Sequence, residues 1–406
     1  MDSLIQAAAV ALAHGDVLAA LKHVALRDDP PALALRGIAM AQLGDFERAK
    51  ALLRSAAQAF SQKDELARAR CIVAEAEIAL VSRDLSWPSQ ALDAAWATLA
   101  THGDVVNAAH ARNLSARRLL LIGRLDQAER LLAEFDPAPL PSASRAAYEL
   151  TLAGIAIRRL KTKPASAAFA RAAQAARQAA IPALTAEVEG AAGVLHTPAA
   201  RAIAGGEERF VLLEEAEALL QSDVLVVDAC RNAVHGRQAS IPLATRPILF
   251  ALARILGEAW PGDVSRETLL ARAFRARRID ESHRARLRVE MGRLRAQLHS
   301  LAQVNATKRG FALAPHHAEK VIVLAPLVDE HNAAVLALLA DGEAWSSSAL
   351  AIALGASPRT VQRALEQLAA AGKAQSFGGG RARRWTVSSV PGFPTALLLP
   401  VPLPGG

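Results

Sequence analysis

The chain has 406 residues, 52% apolar and 21% charged, which suits a soluble protein of about two to four domains and excludes an intrinsically disordered one. Aromatic residues make up only 4%, so a platform that stacks single-stranded bases is poorly supplied, and no uncharged apolar run reaches the ~18–20 residues of a membrane span. The formal net charge is +8, but it is gathered in two stretches of the C-terminal half, the footprint expected of a binder of phosphate backbone.

From Met1 to about Ser222 the sequence is rich in Ala and Leu, with apolar positions at helical spacing and few β-branched runs. Short turns punctuate it, among them His14-Gly15-Asp16, Leu43-Gly44-Asp45 and Ile122-Gly123-Arg124. Aligning the turns exposes a repeat. Around the second turn it reads Gly37, Met40, Gly44-Asp45-Phe46, Ala49, Leu53, Ala56. The first copy is Gly15-Asp16-Val17, Ala20, Val24, and the fourth is Leu119, Gly123-Arg124-Leu125, Ala128, Leu132. A degenerate third copy centres on Arg83-Asp84-Leu85 and a fifth on Gly154 and Lys161. The turn positions 44, 83, 123 and 161 are spaced by 39, 40 and 38.

This pattern resembles the tetratricopeptide (TPR) repeat, in which small residues let two antiparallel helices approach closely and a glycine turns the chain between them. The resemblance covers about half the chain and implies a TPR-like α-solenoid over residues 1–220. A non-repetitive α bundle is the plainer alternative. Either is an interaction scaffold without catalytic chemistry. Its concave face is open to a peptide, a protein, a small molecule or a second copy of the chain as a homodimer partner.

Near Leu225 the texture changes. Val224–Val227 and Ala239–Leu243 read as short strands joined by a turn at His235-Gly236-Arg237. Helices follow over Arg246–Glu258, Ser265–Phe274 and His283–Leu301, then a strand–turn–strand over Val304–Leu313. Residues Val264–Gly310 hold twelve Lys/Arg, including Arg275, Arg277 and Arg278, against four Asp/Glu. In the third helix, Leu287, Met291, Leu294 and Leu298 make a stripe to be buried. Ala285, Val289, Gly292 and Ala296 lie opposite, where a lack of bulk lets the backbone approach a groove. Arg286 and Arg293 flank that stripe on one side, and Arg288 and Arg295 on the other. With Arg284 they can reach guanine edges or phosphates in a major groove.

Four ordered blocks carry a further resemblance: Thr245-Arg246-Pro247, Val264–Leu270, Arg293–Leu298 and Lys308–Leu313. Together they are similar to the OmpR/PhoB-type winged helix, the output module of many bacterial response regulators. The resemblance implies such a domain over residues 221–318, with Lys308 and Arg309 at the tip of a wing touching backbone or minor groove. A receiver domain with its acidic pocket is not recognisable, so phosphorelay control is not implied.

An apolar connector, Val321–Pro326, leads to a shorter module over residues 327–388. Helices are expected over Asn332–Ala340, Ser346–Leu354 and Pro358–Ala371, with Gly355 as a positive-φ turn, Ser357 as N-cap and Pro358 as the first helical residue. Val361, Leu365 and Leu368 form a buried stripe. Arg359 and Arg363 fall almost opposite, with Thr360 and Gln362 on the flanks. A hairpin follows with Gly378–Arg381 at its tip and Arg383-Arg384-Trp385 on the return strand. Residues Ser357–Arg384 hold six Lys/Arg against Glu366 alone. The run Leu350–Leu368 resembles the winged helix-turn-helix of DeoR, GntR and MarR-like repressors, which implies a second DNA reader.

No basic segment followed by an apolar core opens the sequence. Cys71 and Cys230 lie far apart without CxxC or Cys/His spacing, and read as two buried, reduced thiols of a cytoplasmic protein. His316, His317 and His331 have no carboxylate or thiol at ligand spacing, so no metal or other cofactor is expected. Ser115, Ser142 and Ser144 lack a nucleophile-elbow context, and no enzyme is expected. Residues 389–406 form a Pro-rich tail. The expectation is a mainly α protein, a bacterial transcription regulator binding double-stranded DNA through tandem winged helices. RNA polymerase is a further partner this reading admits. A replication initiator or partition protein with tandem winged helices, and a protein-binding adaptor, are the rivals.

Overall fold

Alanine- and leucine-rich sequence favours helix, and Gly-Asp pairs both end one helix and start the next. The computed structural model describes residues 2–237, 239–274, 280–327, 332–339, 344–370, 372–380 and 383–386. It is mainly helical, with eighteen α-helices among those residues. The first ten form five successive hairpins: α1 (Ser3–Ala13) with α2 (Val17–Val24), α3 (Pro30–Gln42) with α4 (Phe46–Ala59), α5 (Glu65–Val81) with α6 (Ser89–Thr101), α7 (Val105–Leu121) with α8 (Leu125–Leu132), and α9 (Ser142–Arg158) with α10 (Thr162–Ala179). A further helix, α11 (Pro182–Ala192), packs on α9.

The turn of each hairpin holds one residue in the left-handed region: Gly15, Gly44, Arg83, Gly123 and Leu160. The repeat spacing placed the third at 83 and the fifth at 161; the latter lies one residue earlier. Arg83 and Leu160 adopt φ 52° without being glycine. After two of the glycines the aspartate caps the following helix, Asp16 Oδ1 accepting from Ala19 N at 2.9 Å and Asp45 Oδ1 from Arg48 N at 3.2 Å.

Each helix from α1 to α8 packs on the next, and the odd-numbered ones also stack in a row, α1 on α3, α3 on α5, α5 on α7 and α7 on α9. Buried polar bonds tie that row. His110 Nε2 lies 3.0 Å from Glu77 Oε2, both residues almost fully buried, and Thr151 Oγ1 donates to Asn113 Oδ1 at 2.8 Å. A Cβ at Gly37 would stand 2.9 Å from Leu53 Cγ and 3.2 Å from the Ala49 carbonyl oxygen, so α3 and α4 touch through the missing side chain. Gly37→Ala is expected to cost about 1–3 kcal/mol, read as a lower urea midpoint at unchanged m-value. An unchanged midpoint would mean that these helices have room between them.

Contact density divides the chain into two compact units. One comprises Met1–Arg159, Lys163–Ala192 and His331–Gly406, and the other Leu160–Thr162 and Gly193–Glu330. The second unit is therefore inserted into the sequence of the first. Three expectations are corrected within it. Helix was expected to run to about Ser222, but β1 (Ala200–Ala204) and β2 (Glu207–Val211) precede α12 (Leu213–Gln221). The strands around His235 are three rather than two: β3 (Leu225–Asp228), β4 (Ala233–Gly236) and β5 (Ala239–Pro242), because Asn232 at φ 53° supplies an earlier turn. The apolar connector is β9 (Val321–Ala325), which runs parallel to β3 and antiparallel to β1 in a six-stranded sheet of order β2-β1-β9-β3-β4-β5. A uniformly apolar run is what a strand covered on both faces requires.

Helix α13 (Pro247–Ala259) packs on this sheet, with Gly257 against Val227 and Val323. Beyond it come β6 (Val264–Ser265), α14 (Arg266–Phe274), α15 (Glu281–Leu298), β7 (Ala302–Ala306) and β8 (Gly310–Pro315), the three strands forming one sheet of order β6-β8-β7. One apolar cluster joins Leu252 and Leu256 of α13, Leu269 of α14, Met291 and Leu294 of α15, and Phe311 and Leu313 of β8.

The C-terminal segment repeats this order in smaller form: α16 (Ala333–Leu339), the bridge residue Trp345, α17 (Ser347–Leu354), α18 (Pro358–Ala370) and the hairpin β10 (Gln375–Phe377) with β11 (Arg384–Thr386). Trp345 exchanges both backbone hydrogen bonds with Trp385, each at 2.8 Å. This segment does not close a core of its own. Trp345, Leu350, Leu365 and Trp385 belong to one apolar cluster with Val73, Leu80, Leu99 and Leu114 of the helical hairpins. The Arg83 guanidinium lies 5.5 Å from the centre of the Trp345 ring.

Cys71 is buried, and burial pushes its thiol up to about 12. Cys230 is exposed as a residue, contrary to expectation, yet desolvation and then the Asp228 carboxylate raise its thiol to about 11. Neither carries appreciable thiolate at neutral pH. The Pro-rich tail lies outside the described residues.

Candidate nucleic-acid interface

Helix α15 starts at Asp280, whose Oδ1 accepts from His283 N at 2.9 Å and from His283 Nδ1 at 2.6 Å. These bonds hold its carboxyl below the usual carboxylate range, the backbone donor being the larger cause. From that cap the helical period sorts the side chains. Leu287, Met291, Leu294 and Leu298 are buried, while Ala285, Val289, Gly292 and Ala296 are exposed. Arg284, Arg286, Arg288, Arg293 and Arg295 are all exposed around the second stripe. Val289, 53% exposed in its middle, presents an apolar surface between cations.

The guanidinium groups differ in their engagements. Arg288 donates to Glu281 Oε1 at 2.9 Å and Arg284 lies 3.6 Å from the same carboxylate, with all three side chains more than half exposed. Arg293 donates to Glu290 at 2.9 Å. The two pairs with Glu281 are open to water and contribute about 0–1 kcal/mol, so a phosphate or a guanine edge competes with them readily, whereas the Glu290 carboxylate under Arg293 is only 12% exposed. Arg286 sits over the Phe274 ring at 5.3 Å. Arg295 is different: its Nε donates to the Val304 carbonyl at 2.6 Å and its guanidinium lies 5.6 Å from the Phe311 ring centre. It braces the hairpin against the helix, which leaves only its terminal nitrogens for a partner.

The hairpin tip is anchored by residues that were not singled out as site residues from sequence. Arg266 donates to the Lys308 and Thr307 carbonyls at 3.2 and 3.3 Å, Thr307 Oγ1 donates to Asp263 at 2.6 Å, and Gly310 N donates to Thr307 Oγ1 at 2.9 Å. Arg309 Nη1 is 3.7 Å from Asp263. Lys308 is exposed and carries no ion pair among the described residues. Thus four backbone and side-chain bonds fix the loop while its lysine projects. The only sequence signal was Arg266 inside the Val264–Leu270 block.

In the C-terminal segment, Gly355 takes φ 60° after α17, and Ser357 Oγ accepts from Thr360 N at 3.1 Å. Val361, Leu365 and Leu368 are buried; Arg359 and Arg363 are exposed, with no hydrogen bond or ion pair among the described residues. Thr360 Oγ1 lies 2.8 Å from Ser357 Oγ, and Gln362 Nε2 donates to Glu366 at 2.9 Å, so these two polar groups serve the helix first. Arg383 is exposed and Arg384 half-buried on the return strand; Arg381 lies outside the described residues, as do Arg275, Arg277 and Arg278. Arginines of α15 and α18 belong to different compact units, and each forms its own basic face.

No group of three or more His, Cys, Asp or Glu suited to a metal occurs among the described residues. His316 Nε2 donates instead to the His299 carbonyl at 3.1 Å, and His331 lies outside the described residues. No described helix is long and apolar enough to cross a membrane. No family model, curated protein or solved structure matches the chain.

Proposed function

We propose that the chain is a sequence-specific double-stranded DNA-binding transcription regulator, in which α13–β8 and α16–β11 act as two winged helices and the five hairpins as a TPR-like sensing or oligomerisation scaffold. The observation that carries this reading is α15. One side is wholly buried, while the other presents small residues ringed by exposed arginines, and a braced hairpin with a projecting lysine follows it. A solvated basic helix needs neither the stripe of small residues nor the brace. An α-helix whose flanks carry arginine fits a major groove, where guanidinium groups pair with guanine and an apolar residue such as Val289 meets a thymine methyl. The recurrence of helix, short strand, two helices and hairpin in the C-terminal segment, with Arg359 and Arg363 exposed on the side of α18 away from its buried stripe, supports a second reader.

Selection of bound duplexes followed by gel shifts tests this. Arg288→Ala and Arg293→Ala should each cost about 1–3 kcal/mol on the selected site and relax its sequence preference, whereas Lys308→Ala should weaken all duplexes alike and lower the salt slope by about 1. Unchanged affinity in both arginine variants contradicts a reading role for α15. Absence of duplex binding even at low salt favours an adaptor, and iterated sites at an origin of replication favour an initiator.

A further inference from the structure

A cleft of about 170 Å³ opens between the α5–α6 and α7–α8 hairpins. Its walls are mostly apolar, including Leu80, Leu92, Leu114, Leu131 and the Trp87 ring. A cavity of about 150 Å³ suffices for benzene, so the space takes one small ring or a short branched chain.

The charged groups at the cleft are not equivalent. Asp84 Oδ1 accepts from Ser86 Oγ at 2.5 Å, and Asp93 faces Arg112 at 3.7 Å. Arg118, the cation of this wall, has no counter-ion: among the described residues no carboxylate lies within 4 Å of it, its Nε is buried without a hydrogen-bond partner, and its Nη2 makes only a 3.4 Å contact with the Leu85 carbonyl. A guanidinium stays charged at any working pH and is costly to desolvate alone. Its planar fork matches a carboxylate in two parallel hydrogen bonds. Ser115, one turn before Arg118 on α7, adds a hydroxyl to the same wall.

From these features we infer that the cleft binds a small amphipathic acid, with its apolar body among the leucines and Trp87 and its carboxylate on Arg118. The site lies under the α5–α6 turn that carries Arg83, and Leu80, Leu92 and Leu114 of its wall belong to the apolar cluster that holds Trp345. Occupancy therefore bears on the packing of the C-terminal segment.

Calorimetric titration of the full chain with benzoate, and with benzamide as its neutral counterpart, reads the cleft alone and does not depend on the DNA reading. Benzoate should saturate with Kd about 1 mM or tighter, and benzamide should bind at least about tenfold more weakly. Arg118→Gln and the cavity-filling Ser115→Leu, each checked for unchanged far-UV circular dichroism, should weaken benzoate by about tenfold or more, with Arg118→Lys intermediate. Absence of saturable heat overturns the inference. So does equal binding of benzamide by the unaltered chain, which needs no variant to fold.

Discussion

Replacing Trp345 by alanine is expected to lower the stability of the first unit by about 3–5 kcal/mol, as for other buried tryptophans. Its side chain is fully buried, its ring receives the Arg83 guanidinium, and its backbone holds Trp385 in register. The cavity left behind would open into a cluster lined by Leu80 and Leu114 as well as Leu350 and Leu365. Collapse from either side is resisted by helices already packed on their neighbours. Urea unfolding of the full chain, followed by helical circular dichroism, should show the loss in the transition that reports the hairpins. Trp345→Phe should retain most of the stability. Loss confined to a minor transition, with the helical signal unmoved, would mean that the C-terminal segment carries its own core.

Gly310→Ala should disable the hairpin after α15. An added Cβ would stand 1.8 Å from the Val264 carbonyl oxygen, a backbone atom in the strand paired with β8. No rotamer change relieves that overlap; β6 and β8 must part, at an expected cost of about 3 kcal/mol. The bonds from Arg266 to the Thr307 and Lys308 carbonyls would be strained at the same time. The variant should therefore bind duplex DNA more weakly than Lys308→Ala, because the whole tip is displaced and not one charge. Amide hydrogen exchange across Thr307–Leu313 checks the structural half, and gel shifts the functional half. Protection equal to that of the unaltered chain would contradict the strand geometry.

How far the sequence predicts these features depends on whether the information is local. Two hairpin turns were legible because a left-handed glycine followed by a capping aspartate is a contiguous signal, and the regular spacing of the turns then placed Arg83 at its expected position. The buried stripe of α15 was legible from period alone, and so was the arginine ring opposite. Strand β2 was not, since four of its five residues are exposed and only Val211 is buried, leaving no alternation to read. Strand β9 was hidden for the opposite reason: Val321–Ala325 is apolar throughout, and nothing nearby names β1 and β3 as its neighbours. The bracing of Arg295 by Val304 was also invisible, because helical spacing fixes the direction of a side chain and not its acceptor. The shared cluster around Trp345 depends on residues separated by most of the chain.

The place of β9 has a consequence for how the inserted unit is made. Strands β1 and β2 form one hairpin and β3 to β5 another meander, and in the sheet only β9 hydrogen-bonds to both. It is also the last strand of that unit to leave the ribosome, and it pairs Ala325 with Arg201 across almost the full span of the insertion. Such distant pairing is slow because loop entropy is lost before contacts form. Until Ala325 emerges, the nascent unit holds two half-sheets with bare inner edges, so a message truncated before codon 321 would release a chain unable to zip itself shut.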